Sequence, residues 1–295
     1  MSKHSLLRLT SSLYNTPQLI DASTFDTILG YLNKRNDGLQ MLLPNQQPPQ
    51  AEEQEEEEPD DMDDFDESPL PVVVINIEGA LSYKPVMTMC GVVGTSYQCL
   101  EEDVEEAIED GATTIILNFA SGGGQAQHCF ETANNIRSMC DEYDVKLIGY
   151  IDEIACSAAY AIACVCDELY ANPTSCAGSI GCVVALLDTS ENDKQEGYKR
   201  IYITSGANKV PFDEAGAFKP EFLQEIQDSV DKMNNSFVEH VAKYTGIDAK
   251  IIRGFEAASF DAEDSLSNGL VNGIMTNREF VKYVVQNVTT DKGSM

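Results

Sequence analysis

One serine in this chain stands where a nucleophile would be expected. Ser157 comes shortly after an apolar run over residues 147–151 and directly before the small apolar residues 158–163. The first run predicts a buried strand and the second predicts a helix, with the serine at the helix entrance. Free backbone N–H groups gather there, and the helix dipole favours developing negative charge. Ser157 is therefore a candidate nucleophile for attack on a carbonyl, with simple capping of a buried helix as the alternative.

A glycine-rich stretch lies one strand and one helix upstream of this serine. The apolar residues 115–119 are followed closely by Gly122, Gly123 and Gly124. Glycines at the carboxyl end of a strand let backbone N–H groups approach a ligand without interference from Cβ atoms. The N–H of Gly123 or Gly124, together with that of Ala158, could form an oxyanion hole. A flexible turn is the alternative, and nucleotide binding is weaker because neither GxGxxG nor GxxxxGK[ST] is present.

A nucleophilic serine needs a base, and the histidines are poorly placed to supply one. The sequence has no histidine between His128 and His240, and neither of these neighbours a recognisable acid motif. Lysine is the other established partner, but an ordinary lysine pKa of about 10.4 must be lowered by burial. Lys209 lies in a turn-prone loop directly after a predicted strand, although a loop lysine is usually solvated. The candidates after Ser157 are Lys194, Lys199, Lys209 and Lys219.

Four motifs occur in the order and spacing of a known peptidase family. The chain resembles the signal-peptide-peptidase-A-like serine peptidases, which have the ClpP/crotonase type of fold and a Ser/Lys dyad. Two further stretches, 13–20 and 257–271, are similar to signatures of its phage branch, the prohead (head-maturation) proteases of lambda-like phages. The resemblance covers about residues 10–285 apart from an acidic insert. The four motifs are residues 121–124, 155–160, 177–181 and 205–209.

The resemblance implies a role for each matching residue of the dyad and the oxyanion hole. Ser157 would be the nucleophile and Lys209 its general base. Gly123 or Gly124, with Ala158, would supply the oxyanion donors. These assignments come from the motif positions, and they agree with the chemistry that the serine and glycine stretches favour.

Three other positions either support the site or depart from the pattern of the family. The resemblance implies that Ser179, in the Gly-Ser-Ile-Gly turn, orients the lysine or supports the site. Gly122 replaces the proline that usually precedes the paired glycines, which could loosen the oxyanion loop. Cys156 is unusual before the nucleophile, and we expect its side chain to point away from Ser157.

The resemblance also implies a biological activity. It indicates an endopeptidase that cuts scaffold, portal or other head proteins, and itself in some cases, inside an immature capsid. No metal, nucleotide or organic cofactor is expected, and relatives that form rings or stacked oligomers imply a homo-oligomer. The expected location is the host cytoplasm, within the prohead.

Three alternatives stay open. A soluble bacterial signal-peptide-peptidase-like protease would share the dyad. A crotonase-like acyl-CoA enzyme would share the fold and the oxyanion loop, but it would use pocket carboxylates and survive loss of Lys209. A catalytically silent capsid-assembly protein would keep its function after Ser157→Ala.

The pattern of apolar runs indicates the fold that must position these residues. From residue 71 onward, apolar runs alternate with amphipathic segments, as in βαβ units whose mainly parallel sheet is covered by helices. The fold class is therefore α/β, and the resemblance implies its ClpP/crotonase-like form. The predicted strands are 72–77, 113–119, 145–151, 168–171, 181–187 and 201–204. The predicted helices are 98–110, 125–143, one following Ser157, 219–244 and 248–254.

Composition divides the chain into four regions. Residues 1–43 form an N-terminal segment with apolar residues at helical spacing, and 44–70 form an acidic linker or insert that is expected to be disordered. The peptidase domain is predicted over 71–285, followed by a tail over 286–295. Twelve carboxylates and no Lys or Arg lie between residues 52 and 67, within a net charge of −30. Such a charge argues against direct binding of nucleic acid.

The remaining composition argues against a membrane, secreted or metal-binding protein. The sequence has no stretch of about 18–20 uninterrupted apolar residues, and its N-terminus lacks the features of a secretory signal. Its nine cysteines are therefore interpreted as small reduced hydrophobic residues. No paired CxxC arrangement occurs, and three scattered histidines complete no familiar metal-ligand pattern.

Overall fold

The computed structural model of the chain describes residues 18–20, 72–88, 91–92, 94–199, 201–206, 209–214 and 216–287. The strands are β1 (Gln18–Ile20), β2 (Val72–Leu81), β3 (Met87–Thr88), β4 (Gly91–Val92), β5 (Thr114–Gln125), β6 (Lys146–Cys156), β7 (Glu168–Ala171), β8 (Cys176–Gly178), β9 (Ser259–Asp261) and β10 (Gly273–Ile274). The helices are α1 (Tyr97–Glu109), α2 (Cys129–Glu142), α3 (Ala158–Ala163), α4 (Ser190–Gln195), α5 (Pro220–Thr245), α6 (Ala249–Gly254), α7 (Ala262–Ser267) and α8 (Asn277–Asn287).

A mainly parallel sheet forms the centre of the molecule. β2, β5, β6, β7 and β10 follow one another across it, and each neighbouring pair is parallel. β8 extends the end of β6 in parallel, and β9 pairs with β8 in the antiparallel sense. β1 pairs antiparallel with the last three residues of β5. The predicted α/β class with a mainly parallel sheet is confirmed.

The β-branched and apolar runs form strands because both faces of the sheet are covered, as parallel sheets require. The larger cluster of buried side chains joins one face to α1, α2, α3 and α5. On the other face, Tyr150 and Phe280 stack with ring centroids 4.3 Å apart, next to Ile116, Ile148 and Val284. Because β5 and β6 are parallel neighbours, their carboxyl ends lie at the same edge of the sheet, which brings the glycine stretch close to Ser157.

Helix boundaries follow ordinary capping chemistry. The Ser96 side chain accepts a hydrogen bond from the Cys99 N–H and begins α1. Gly246, at φ 75°, ends α5 in the left-handed conformation that glycine adopts most easily. The predicted helix over 125–143 begins later, at Cys129, because β5 continues through Gln125.

Two predicted strands are wrong. Residues 181–187 contain only isolated bridge contacts, such as that of Val183 with Gln18, and the strand in this part of the sheet is β8 instead. Residues 201–204 have no regular structure, and Ile203 is 97% exposed. A β-branched run becomes a strand only where a neighbouring strand pairs with it, and nothing among the described residues does so there.

The predicted N-terminal segment and the acidic insert lie mostly outside the described residues. The exception is Gln18–Ile20, which forms β1 in the same sheet as the rest of the chain. The four-region organisation remains a prediction. Within the described part of the chain, no helix combines the length and the apolar character needed to cross a membrane.

Candidate active site

Ser157 occupies a one-residue turn between a strand and a helix. β6 ends at Cys156 and α3 begins at Ala158, so the serine alone makes the connection. Its backbone lies at φ 56° and ψ −120°, in a region that non-glycine residues rarely adopt. Strained backbone of this kind is found where the surrounding structure enforces it, often at catalytic positions. The predicted strand, serine and helix arrangement is confirmed.

The surrounding core enforces this turn by holding α3 rigidly. All six residues of α3 are fully buried, and the Tyr160 hydroxyl donates to the Leu270 carbonyl over 2.8 Å. His240 of α5 approaches the Ala161 carbonyl at 2.8 Å through Nε2. A carbonyl can only accept, so Nε2 must carry the proton. The last carbonyls of a helix have no backbone partner within it, and His240 supplies one for Ala161. Together with the bond from Tyr160 to Leu270, this contact fixes the short helix in place.

His240 is consequently a structural residue and not the base of the serine. Desolvation lowers the pKa of its imidazole, the hydrogen bond to Ala161 opposes that shift, and the charge of Lys243 adds to it. The other described histidine, His128, stacks on Tyr83 and pairs with Glu131 near the protein surface. This agrees with the prediction that neither histidine serves Ser157.

The glycines of β5 lie in a tightly packed place, and one of them is next to Ser157. A Cβ atom on Gly123, which has φ 102°, would lie 3.0 Å from the Ser157 Cβ and 2.9 Å from the Cys156 carbonyl oxygen. A Cβ on Gly124 would lie only 2.0 Å from the Leu81 carbonyl oxygen. Side chains are therefore excluded at both positions, and Gly123 is the glycine that touches the serine.

Ser121 belongs to the motif over residues 121–124, but nothing in the sequence indicated its own role. Its hydroxyl donates to the Gly79 carbonyl over 2.6 Å and accepts the Gly123 N–H over 3.2 Å. The hydroxyl thus fixes the orientation of the peptide group at Gly123, a proposed oxyanion donor. Only its position two residues before Gly123 could have indicated this role from the sequence, because its other partner, Gly79, is distant in the chain.

A second backbone segment approaches Ser157 from the end of β8. The Ser157 N–H donates to the Gly178 carbonyl over 2.8 Å, and its Oγ donates to the Gly181 carbonyl over 3.5 Å. Ser179 lies between them at φ 51°, and its N–H donates to the Ala258 carbonyl over 2.8 Å. Ser179 thus shapes the turn beside Ser157, and its expected action on the lysine remains a prediction.

Lys209 lies at the surface, whereas Ser157 has no exposed area. Its backbone N–H donates to the Gly206 carbonyl over 3.3 Å. Among the described residues, no hydrogen bond joins its ammonium to the Ser157 hydroxyl. The structure therefore places Gly123 beside the serine, whereas the predicted base is exposed and makes no hydrogen bond to the serine among the described residues.

The other candidate lysines are also engaged elsewhere or exposed. Lys194 pairs with Glu191 at 2.7 Å on the surface. The Lys219 ammonium donates to the carbonyl of Val210, the residue that follows Lys209, over 2.9 Å. Lys199 is exposed. Among the described residues, none of these three lysines makes a hydrogen bond to the Ser157 hydroxyl.

The cysteines near the site are buried or half-buried thiols. The Cys156 sulfur lies 3.6 Å from the Ser259 hydroxyl, consistent with a side chain that points away from the serine. Burial raises the pKa of the Cys129 thiol to about 12 and that of Cys182 to about 11. Such thiols are poor nucleophiles because they stay protonated at neutral pH. Within the described residues, no group of three or more His, Cys, Asp or Glu side chains could hold a metal ion.

Comparison with known proteins now identifies the family. The family model described as peptidase family S49 matches residues 141–291, which is more than half of the chain and includes Ser157 and Lys209. The chain belongs to peptidase family S49. This membership confirms the predicted resemblance to signal-peptide-peptidase-A-like serine peptidases.

Two similar relatives come from phages. The head-tail preconnector protein GP5 of Enterobacteria phage P21 is 29% identical over 209 residues, covering 69% of this chain and 40% of that protein. The capsid assembly protease C of Escherichia phage lambda is 22% identical over 212 residues, covering 72% and 47%. The chain thus spans less than half the length of either relative. Among solved structures, a ClpP1 mutant from Listeria monocytogenes aligns with a TM-score of 0.43 at 14% identity, covering 70% of this chain and 92% of that one.

Proposed function

We propose that this S49 family member is a serine endopeptidase whose nucleophile is Ser157 and whose general base is Lys209. The observation that carries the proposal is the close approach of Gly123 to Ser157 at the strained entrance of α3, where a Cβ on the glycine would lie 3.0 Å from the serine Cβ. A hydroxyl beside backbone N–H groups at a helix entrance suits attack on a carbonyl. The family match supports the same reaction class.

In the proposed mechanism, neutral Lys209 removes the proton from the Ser157 hydroxyl. The resulting alkoxide attacks the peptide carbonyl, and the oxyanion accepts hydrogen bonds from the N–H groups of Gly123 and Ala158. Lysine then gives its proton to the leaving amine, which departs and leaves an acyl-enzyme. Water hydrolyses this ester and restores the serine.

This mechanism requires two changes relative to the arrangement described above. The segment that carries Lys209 must approach Ser157 so that its amine becomes desolvated, since an exposed ammonium is a poor base. The Gly123 N–H, which donates to Ser121, must turn toward the substrate oxygen. Catalytic hydrogen bonds commonly tighten only when substrate is bound. Gly124 is the alternative donor.

We further propose that the substrates are phage capsid-assembly proteins. The support is that one of the two phage relatives is a capsid assembly protease and the other a head-tail preconnector protein. Scaffold and portal proteins, and the chain itself, are the substrates to test. Assembly into a homo-oligomer and action inside the prohead belong to the same proposal.

The test is co-expression of the chain with the head proteins of its own phage, followed by mass spectrometry of the products. We expect Ser157→Ala and Lys209→Ala each to abolish processing while leaving a folded protein. Lys209→Arg should also be inactive, because a guanidinium cannot act as a base at ordinary pH.

The alternatives give different results in the same assay. Normal cleavage by either alanine variant would refute the dyad. Capsid assembly that proceeds normally with Ser157→Ala, without any cleavage of head proteins in the wild type, would indicate a silent assembly protein.

A further inference from the structure

The N-terminal strand β1 lies beside Ser157, the proposed nucleophile, and pairs with the backbone on both of its edges. One edge of β1 pairs with the last three residues of β5, the segment that contains the glycines. At its other edge, the Gln18 N–H donates to the Val183 carbonyl over 2.8 Å, and the Val183 N–H donates to the Gln18 carbonyl over 2.9 Å. β1 therefore fills the gap between two backbone segments that both contact Ser157.

Close contacts place β1 next to the reacting hydroxyl. The Leu19 carbonyl oxygen lies 2.3 Å from the position that a Cβ on Gly123 would take, and the Ser157 Cβ lies 3.0 Å from the same point. Leu19 and Ser157 both have 0% exposure, and Gln18 has 1%. The serine is therefore closed off from solvent in a structure where β1 is seated.

An extended peptide commonly binds a protein by adding a strand to an exposed sheet edge, with main-chain hydrogen bonds supplying affinity. A peptide that reaches Ser157 between Gly123 and Gly181 would meet the same two backbone segments that hold β1. The two strands cannot occupy this gap together. β1 thus has the location and the pairing of a bound peptide, although it belongs to the same chain.

We propose that β1 is an autoinhibitory strand, which occupies the place of a peptide substrate and keeps Ser157 covered until it is displaced. This inference rests on the proposed function, because it takes Ser157 as the nucleophile. It adds that the chain in isolation is held in an inactive state by its own N-terminal strand.

The experiment measures how fast a fluorophosphonate probe labels the full-length chain, with the labelled peptide identified by mass spectrometry. Gln18→Pro removes the N–H that binds Val183, and Gln18→Ala keeps it as the matched control. We expect Gln18→Pro to be labelled at Ser157 about tenfold faster than wild type, as loss of one backbone hydrogen bond allows. Gln18→Ala keeps this N–H and loses only the buried side chain, so it should be labelled clearly more slowly than Gln18→Pro.

A second variant repeats the test in case Gln18→Pro fails to fold. An added peptide tests whether the site vacated by β1 binds a strand. Val183→Pro removes the reciprocal hydrogen bond and should also accelerate labelling. A synthetic peptide with the sequence of residues 14–23 should slow the labelling of Gln18→Pro, and the same peptide with proline at the Gln18 position should not.

Several outcomes would overturn the inference, and they differ in what they mean for the proposed function. Equal Ser157 labelling rates in wild type and both folded proline variants would refute autoinhibition but leave the nucleophile intact. Unfolding of both proline variants would show that β1 is an indispensable part of the sheet. Absence of Ser157 labelling in every folded variant would refute the nucleophile and the inference together.

Discussion

The turn that carries Ser157 and the segment that carries Lys209 are built in opposite ways. Cys156, Ser157 and Ala158 are fully buried, and the turn is held by contacts from β5, β8 and α5. Residues 201–206 are exposed throughout and form no helix or strand. The proposed nucleophile is therefore positioned by the core of the protein, whereas the proposed base is not.

This difference shows how the two halves of a dyad can depend on different parts of a fold. A strained serine needs a rigid surrounding, because each strained backbone angle costs about 1–3 kcal/mol. A lysine that must act as a neutral base needs a desolvated position, which an exposed segment gains only by closing onto something else. The proposed mechanism therefore requires the segment that carries Lys209 to approach Ser157.

The largest effect should come from the lysine. Lys209→Ala is expected to lower the rate of peptide cleavage at least about a thousandfold, the scale of losing one member of a catalytic unit. The free energy of unfolding should change by less than about 0.5 kcal/mol, since the side chain is exposed. Initial rates and urea unfolding measure the two quantities. Lys199→Ala is the matched exposed control, and an equal loss of activity in that variant would contradict the role of Lys209.

Gly123→Ala should lower both the free energy of unfolding and the rate of peptide cleavage. The new Cβ would lie 2.3 Å from the Leu19 carbonyl oxygen, at a backbone φ of 102°. We expect a loss of about 1–3 kcal/mol from strain, with a further loss from the clash. Urea unfolding measures the change.

A substitution at a second glycine distinguishes the cost of backbone strain from the cost of the steric clash. Gly197 has φ 78°, and a Cβ there would meet nothing within 4 Å among the described residues. Gly197→Ala should therefore show the strain without the clash. Equal losses in the two variants would mean that Gly123 is not tightly enclosed.

His240 should make the stability of the core depend on pH. Desolvation lowers the pKa of the folded imidazole below its ordinary value of 6.5, so the unfolded chain binds more protons. Stability should then fall as the pH drops below about 6.5, with a slope of at most about 1.4 kcal/mol per pH unit. In His240→Gln this contribution to the slope should vanish, whereas His128→Gln should keep it. Unfolding free energies between pH 5 and pH 7.5 check this, and an unchanged slope in His240→Gln would contradict it.

The smallest effect is expected at Ile203, which is 97% exposed. Ile203→Ser should change the free energy of unfolding by less than about 0.5 kcal/mol. Thermal and urea unfolding of the wild type and the variant provide the measurement. A loss above about 1 kcal/mol would mean that this segment is packed in solution, and the contrast with the Ser157 turn would then be smaller than described.

The sequence was most informative where local pattern decides the structure. The predicted helix over 98–110 is observed as Tyr97–Glu109, and the predicted strand, serine and helix arrangement at Ser157 is also present. Amphipathic spacing and caps set the ends of such elements, and both are readable from neighbouring residues. The motif spacing likewise led to the correct family.

The errors arose where structure depends on distant partners. β5 and β6 extend to Gln125 and Cys156, beyond their predicted ends, because the glycine stretch and the residues before Ser157 find pairing strands. The apolar run over 201–204 finds none among the described residues and stays exposed. The pairing of β1 with Gly123 and Val183 joins residues more than 100 positions apart, which no local pattern indicates.

The central claim is that Ser157 is acylated with the help of Lys209. The most direct test treats the full-length chain with a slowly hydrolysed acylating ester and follows the mass of its peptides over time. We expect one acyl group on the peptide that contains Ser157, formed at least about a thousandfold more slowly in Lys209→Ala. An adduct on any other residue, or an equal rate in the lysine variant, would contradict the account.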